Sequence, residues 1–220
     1  MKNKGKAYIG MCLIIAFALW TVLVCLVDVR PIGPEGSDVG FAAFNKFVHG
    51  ITGENMLLYA VTDWLGIIPI GVALGFAVFG LAQWIKRKSF FRVDLSILIL
   101  GVFYIAVIVC YVLFELVPVN YRPVLIDGCL ETSYPSSTTM LVMCVMPTAA
   151  MQFNARIKNA FFRRGTVVLT VAFTAFMVIG RFLSGVHWVS DIVGGALVSA
   201  GLVTMYSWAN EKASKHEKAD

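Results

Sequence analysis

Arg181, His187 and Asp191 stand close together in a chain in which only 14% of residues are charged. With the stretch from about Val186 onward helical, His187 and Asp191 fall at i and i+4 on one face, within reach of each other. A carboxylate so placed accepts the proton of one imidazole nitrogen and fixes the tautomer. The other nitrogen is then free to act as base or nucleophile. Arg181 adds a rigid fork of donors suited to phosphate or carboxylate. On this reading His187 and Asp191 are the candidate catalytic residues.

Two earlier stretches carry related chemistry. Arg122-Pro123 offers a second guanidinium, with Glu115 seven residues before it. Tyr134-Pro135-Ser136-Ser137-Thr138-Thr139 opens an apolar run. Free amides at a helix start cradle an anion, and the hydroxyls of Ser136, Ser137 and Thr138 can donate to it. Arg122, Arg181, Ser136, Ser137 and Thr138 are therefore candidate phosphate-binding residues. A bare carboxylate beside bound phosphate is repulsive, which leaves Glu115 three open roles: an ion pair with Arg122, a proton donor, or a metal ligand. No second carboxylate stands at ligand spacing on its helix, and neither a metal nor a cofactor is expected.

In this order the three stretches resemble the signatures of the type 2 phosphatidic-acid phosphatase superfamily, which includes membrane lipid phosphatases, glucose-6-phosphatase and vanadium haloperoxidases. The third signature, Arg, five residues, His, three residues, Asp, is met by Arg181, His187 and Asp191, with Gly180 in place of the usual Ser. The first, Lys, six residues, Arg-Pro, keeps Arg122-Pro123 but has Glu115 where the lysine belongs. In the second, Pro-Ser-Gly-His, Pro135 and Ser136 match, Ser137 replaces the Gly, and Thr138 replaces the His. The resemblance covers roughly Glu115 to Asp191. It implies that His187 attacks phosphorus to form a phosphohistidine, that Asp191 orients it, and that the two arginines neutralise the phosphoryl oxygens. The family's leaving-group acid is the histidine that Thr138 replaces. General acid catalysis contributes on the order of 10²–10⁴-fold, most for a poor alkoxide leaving group. A phosphate leaving group needs little such help, so a lipid diphosphate is the preferred substrate.

The elements that must hold these groups belong to a membrane protein. At 59% hydrophobic residues and a mean hydropathy of +0.80, the chain has too little polar surface to cover a soluble globule. The net charge of +5 does not point to nucleic acid, because the basic residues cluster between apolar runs. Five cysteines show no metal-ligand spacing and read as small buried residues. Apolar runs predict six spans, near residues 8–27, 65–85, 95–117, 135–153, 166–181 and 188–208. The first is a signal anchor, since it lacks a cleavage site. Between the first two spans, Phe41, Phe44, Phe47, Val48 and Ile51 recur at helical spacing and predict a helix along the membrane surface.

Of the 18 Lys and Arg, 14 lie in the amino terminus, the loops at 86–92 and 156–164, and the tail. The positive-inside rule then makes both termini cytoplasmic and the active face extracytoplasmic. The expected architecture is all-α: a six-transmembrane helical bundle over residues 1–209 with an extracytoplasmic interfacial helix, followed by a polar, disordered cytoplasmic tail at 210–220. Its partners are the bilayer and a phosphorylated lipid. A non-catalytic relative that binds phosphorylated lipids through Arg122 and Arg181 is the alternative function. A transporter would need a polar pathway through the spans, which few buried charges are there to supply.

Overall fold

The computed structural model describes residues 2–216. Its helices are α1 (Lys2–Leu26), α2 (Ala42–Thr52), α3 (Met56–Leu65), α4 (Ile67–Arg87), α5 (Leu95–Leu116), α6 (Ser137–Arg156), α7 (Ala160–Leu183) and α8 (Val189–His216). Among the described residues there is no β-strand, only isolated bridges in the loops. Apolar side chains such as Leu19, Ile105, Val168 and Leu169 stand exposed along the outer faces. So much outward apolar surface fits lipid and not water.

Five helical stretches among the described residues are long and apolar enough to cross a membrane: Lys4–Leu26, Met56–Arg87, Leu95–Leu116, Ala160–Leu183 and Val189–Ser214. The fourth expected span, near 135–153, is α6 and is not one of them. It is the most deeply enclosed helix, with Val142, Cys144, Val145, Ala149 and Gln152 all buried, and it packs against α4, α5, α7 and α8. A helix enclosed by protein can carry polar groups because its neighbours satisfy them. Thr148 donates to the Cys144 carbonyl at 2.7 Å, and Gln152 donates to the Tyr206 hydroxyl and the Ser96 carbonyl.

Helix boundaries differ from the sequence expectation where capping decides them. The second expected span, 65–85, corresponds to α4, and a further helix, α3, precedes it across Gly66, with Asn55 capping α3 through a 2.9 Å bond from the Leu58 amide. The Asn159 side chain accepts from the amides of Phe161 and Phe162, so α7 starts before the basic pair Arg163-Arg164 rather than after it. The tail expected to be disordered from Asn210 continues α8 to His216, where Lys6 pairs with Glu211. Residues 217–220, the rest of that tail, lie outside the described residues.

α2 is amphipathic as expected. Ala42 and Asn45 are buried, while Phe44, Phe47 and Ile51 face outward. The long connection between α5 and α6 folds back on itself. Tyr121 bridges Thr132 and Ile126 bridges Cys129 around Asp127-Gly128, both at positive φ. Asp-Gly in that conformation is a two-residue hairpin turn, and farther from the turn the Arg122 amide donates to the Glu131 carbonyl at 3.0 Å.

Candidate active site

His187 sits in the tight connection between α7 and α8, with its side chain 3% exposed and no hydrogen-bond partner for either ring nitrogen. Burial pushes its pKa well below the usual histidine value of 6.5, and the charges of Arg122 and Arg181 push it further. The Ser133 backbone opposes this only weakly. A buried imidazole beside two fixed cations is neutral at pH 7, which is the form a nucleophile needs.

Arg181, 1% exposed, projects from the end of α7 onto α3. Its Nη2 donates to Asp63 Oδ1 at 2.9 Å, and its Nη1 donates to Thr62 Oγ1 at 3.3 Å and the Tyr59 carbonyl at 3.4 Å. Two glycines permit this approach. A Cβ at Gly180 would meet Thr62 Cγ2 at 2.8 Å, and one at Gly185, where φ is +69°, would meet the Gly53 carbonyl oxygen at 1.9 Å. Gly180 therefore stands in place of the usual serine because α3 occupies the space. The Asn55 amide completes the seam with a 2.9 Å bond to the Ser184 carbonyl. His49 of α2 also bonds this loop, its Nε2 lying 3.0 Å from the Gly185 carbonyl.

Arg122 reaches the same place from the hairpin. Its Nε lies 3.0 Å from Glu131 Oε2 in an ion pair without hydrogen-bond alignment, so Nε and Nη1 have no hydrogen-bond partner. Arg181 Nε has none either. Buried donors without partners are uncommon in folded proteins and mark a place where a ligand completes the bonding.

Asp191 does not meet His187 as the i, i+4 spacing predicts, because α8 begins at Val189 and leaves His187 outside the helix. Its carboxylate accepts from Ser133 Oγ (2.8 Å), Asn120 Nδ2 (2.9 Å), the Trp188 amide (3.0 Å) and Ser190 Oγ (3.3 Å). It caps the first turn of α8 and ties the His187 loop to the hairpin. Glu115 does not pair with Arg122. It is exposed and accepts from Thr132 Oγ1 at 2.9 Å, while the hairpin register gives Arg122 to Glu131. Among the described residues there is no cluster of His, Cys, Asp and Glu able to hold a metal ion.

In the second motif, Ser136 is fully buried, and its hydroxyl faces the Thr139 amide of α6 at 3.5 Å. Ser137 and Thr138 instead line a cavity of about 540 Å³ with Asp63, Tyr111, Ile67, Ile70, Val107 and Ile108. The cavity is polar where α3 meets α6 and apolar along α4 and α5.

The arrangement joins Arg181 from the end of α7 with Arg122 and a neutral histidine on loops braced by Asp191. The PAP2 superfamily model matches residues 114–215, which take in all four. Among solved structures, the crystal structure of the first transmembrane PAP2 type phosphatidylglycerolphosphate phosphatase from Bacillus subtilis is similar. It shares 20% identity over 78% of this chain and 94% of that one, with a TM-score of 0.45. Among curated proteins, none matches the chain.

Tyr59, Thr62 and Asp63 lie before the PAP2 match, on α3. None of the three is among the candidate residues that the sequence motifs single out. Their spacing, i, i+3 and i+4, was the signal that one helix face is polar within an apolar run. Glu131 and Ser133 lie in the connection between α5 and α6, and only the fold-back around Asp127-Gly128 brings them to the site.

Proposed function

We propose that this protein is a membrane-embedded phosphatase or phosphotransferase that acts on a lipid phosphate and prefers a lipid diphosphate such as a polyprenyl diphosphate. The observation that carries the reading is His187: buried, neutral, without a hydrogen-bond partner, and flanked by Arg122 and Arg181. One ring nitrogen attacks phosphorus, the bond to the leaving oxygen breaks, and the phosphoryl group rests on His187 until water or an acceptor hydroxyl takes it. The guanidiniums neutralise the phosphoryl oxygens in the transition state, the largest contribution positioning residues make in phosphoryl transfer. Asp191 acts as a brace, fixing the loop through the Trp188 amide. Thr138 has no titratable proton to give a departing alkoxide, which favours a leaving group that is itself a phosphate.

The membrane arrangement we infer has six spans, with α6 crossing among α4, α5, α7 and α8 and α2 lying at the interface. The basic loops then put both termini in the cytoplasm and His187 at the extracytoplasmic face.

The reading is tested by phosphate release from purified protein in detergent, with a polyprenyl diphosphate and phosphatidic acid offered side by side. Release that prefers the diphosphate and falls to background in His187→Ala is expected. A preference for phosphatidic acid overturns the substrate assignment. The second reading, a non-catalytic relative that binds phosphorylated lipids, is favoured by Thr138 and by the Asp63 carboxylate on Arg181. It predicts no release from either lipid and binding that depends on Arg122 and Arg181.

A further inference from the structure

Both guanidiniums of the site lie over the ring of one aromatic side chain. Arg181 Cζ is 4.7 Å and Arg122 Cζ 5.8 Å from the centroid of Tyr59. Tyr59 comes from α3, a helix that supplies none of the three motifs and lies outside residues 114–215. We propose that Tyr59 is a positioning residue of the anion site, whose ring face holds Arg122 and Arg181 together so that both meet one phosphorylated ligand. The inference rests on the proposed reading for its ligand, a phosphate or diphosphate group, and not on whether the ligand is turned over.

The physical need is plain. Two buried cations that converge on one anion repel each other before it arrives, and in a site of low dielectric the repulsion is large. Each has a carboxylate partner, Glu131 for Arg122 and Asp63 for Arg181, but these bind the two arginines to different elements. The Tyr59 ring is what they share. The negative face of an aromatic ring attracts a guanidinium without competing for its donors, so it holds both arginines while leaving their N–H groups for the ligand. A third carboxylate would hold them too, but it would repel the phosphate.

The placement of Tyr59 is built, not incidental. Its own carbonyl accepts from Arg181, Thr62 and Asp63 bind the same guanidinium one turn on, and Gly180 and Gly185 leave room for α3 and the turn before it to lie against the end of α7. The departures of the first two motifs coincide with this arrangement. Where the family's signature lysine would add a third cation, this chain has Glu115, exposed and bonded to Thr132. Orientation of the remaining two cations falls to α3.

The test compares Tyr59→Phe, which keeps the ring and loses the hydroxyl, with Tyr59→Met, which keeps the bulk and loses the ring. Binding of inorganic pyrophosphate to purified protein is measured by calorimetry, alongside KM and kcat for a polyprenyl diphosphate. Tyr59→Met is expected to weaken pyrophosphate binding about tenfold or more and to raise KM more than it lowers kcat, and Tyr59→Phe to restore both to within about threefold. A Tyr59→Met variant that binds like the parent overturns the proposal. A Tyr59→Phe variant as weak as Tyr59→Met also overturns it, because the hydroxyl is then the acting group.

A series of increasingly fluorinated phenylalanines at position 59 separates orientation from simple packing, and it covers the case in which Tyr59→Met fails to fold. Fluorination drains the ring face with little change of shape, so affinity is expected to fall stepwise; a flat series overturns the proposal. Ring-dependent binding without turnover leaves the inference standing and removes the enzyme reading. A parent protein that neither binds pyrophosphate nor turns over the lipid overturns both.

Discussion

At His187, burial and two neighbouring guanidiniums act in the same direction, and both hold the imidazole neutral. The sign has a kinetic consequence. A histidine with an ordinary pKa would be lost to protonation as pH falls through 6.5, whereas here the neutral form persists well below it. The pH profile of kcat/KM, which reports the free enzyme, is therefore expected to stay level from pH 7.5 through 6.5 and to drop only further into acid. An acid limb at or above pH 6.5 would contradict this assignment. Arg181, His187 and Asp191 could be singled out from sequence because charged residues are rare in an apolar chain. The partner of Asp191 could not, since a start of α8 at Val189 rather than about Val186 takes His187 off the helix and gives the carboxylate to Ser133, Asn120 and Trp188. Tyr59 was equally hidden, because an aromatic residue in an apolar run looks like any other lipid-facing side chain.

At the level of elements, the site depends on how closely α3 lies against the end of α7. Restoring the usual serine, Gly180→Ser, places a Cβ 2.8 Å from Thr62 Cγ2, and overpacking of this kind costs about 1–3 kcal/mol. The variant is expected to melt at lower temperature and to lose phosphate release as α3 moves away from Arg181. Adding Thr62→Ser removes the offending methyl and keeps the hydroxyl that Arg181 uses, so the double variant is expected to recover most of both properties. Equal losses in the single and double variants would show that the α3 seam is not the cause. Sequence gave Gly180 only as a departure from a signature, because the residue that explains it lies far away in the chain. The hairpin that carries Arg122 and Glu131 was not read from sequence either, although Asp127-Gly128 is the kind of two-residue turn that signals one.

At the level of the whole molecule, the apolar runs gave the helices and the basic loops gave an orientation. What they could not give is that α6 is enclosed by the other helices, which is why it keeps Thr148 and Gln152 without the hydropathy of its neighbours. The proposed orientation puts the hairpin outside and the α4–α5 loop inside. Cys129, exposed in the hairpin, is expected to react with a membrane-impermeant maleimide on intact cells in a variant whose other four cysteines are alanine. A cysteine introduced by Ser89→Cys in that background, with Cys129 also replaced, is expected to react only after permeabilisation. The reverse pattern would invert the topology and place the site at the cytoplasmic face.

The most direct test of the central claim is to quench the protein during turnover of a polyprenyl diphosphate labelled in its terminal phosphate and to locate the label. The account predicts an acid-labile, alkali-stable phosphoryl group on His187 that forms and decays at rates consistent with kcat. Turnover with no label on His187, or with release undiminished in His187→Ala, would contradict it.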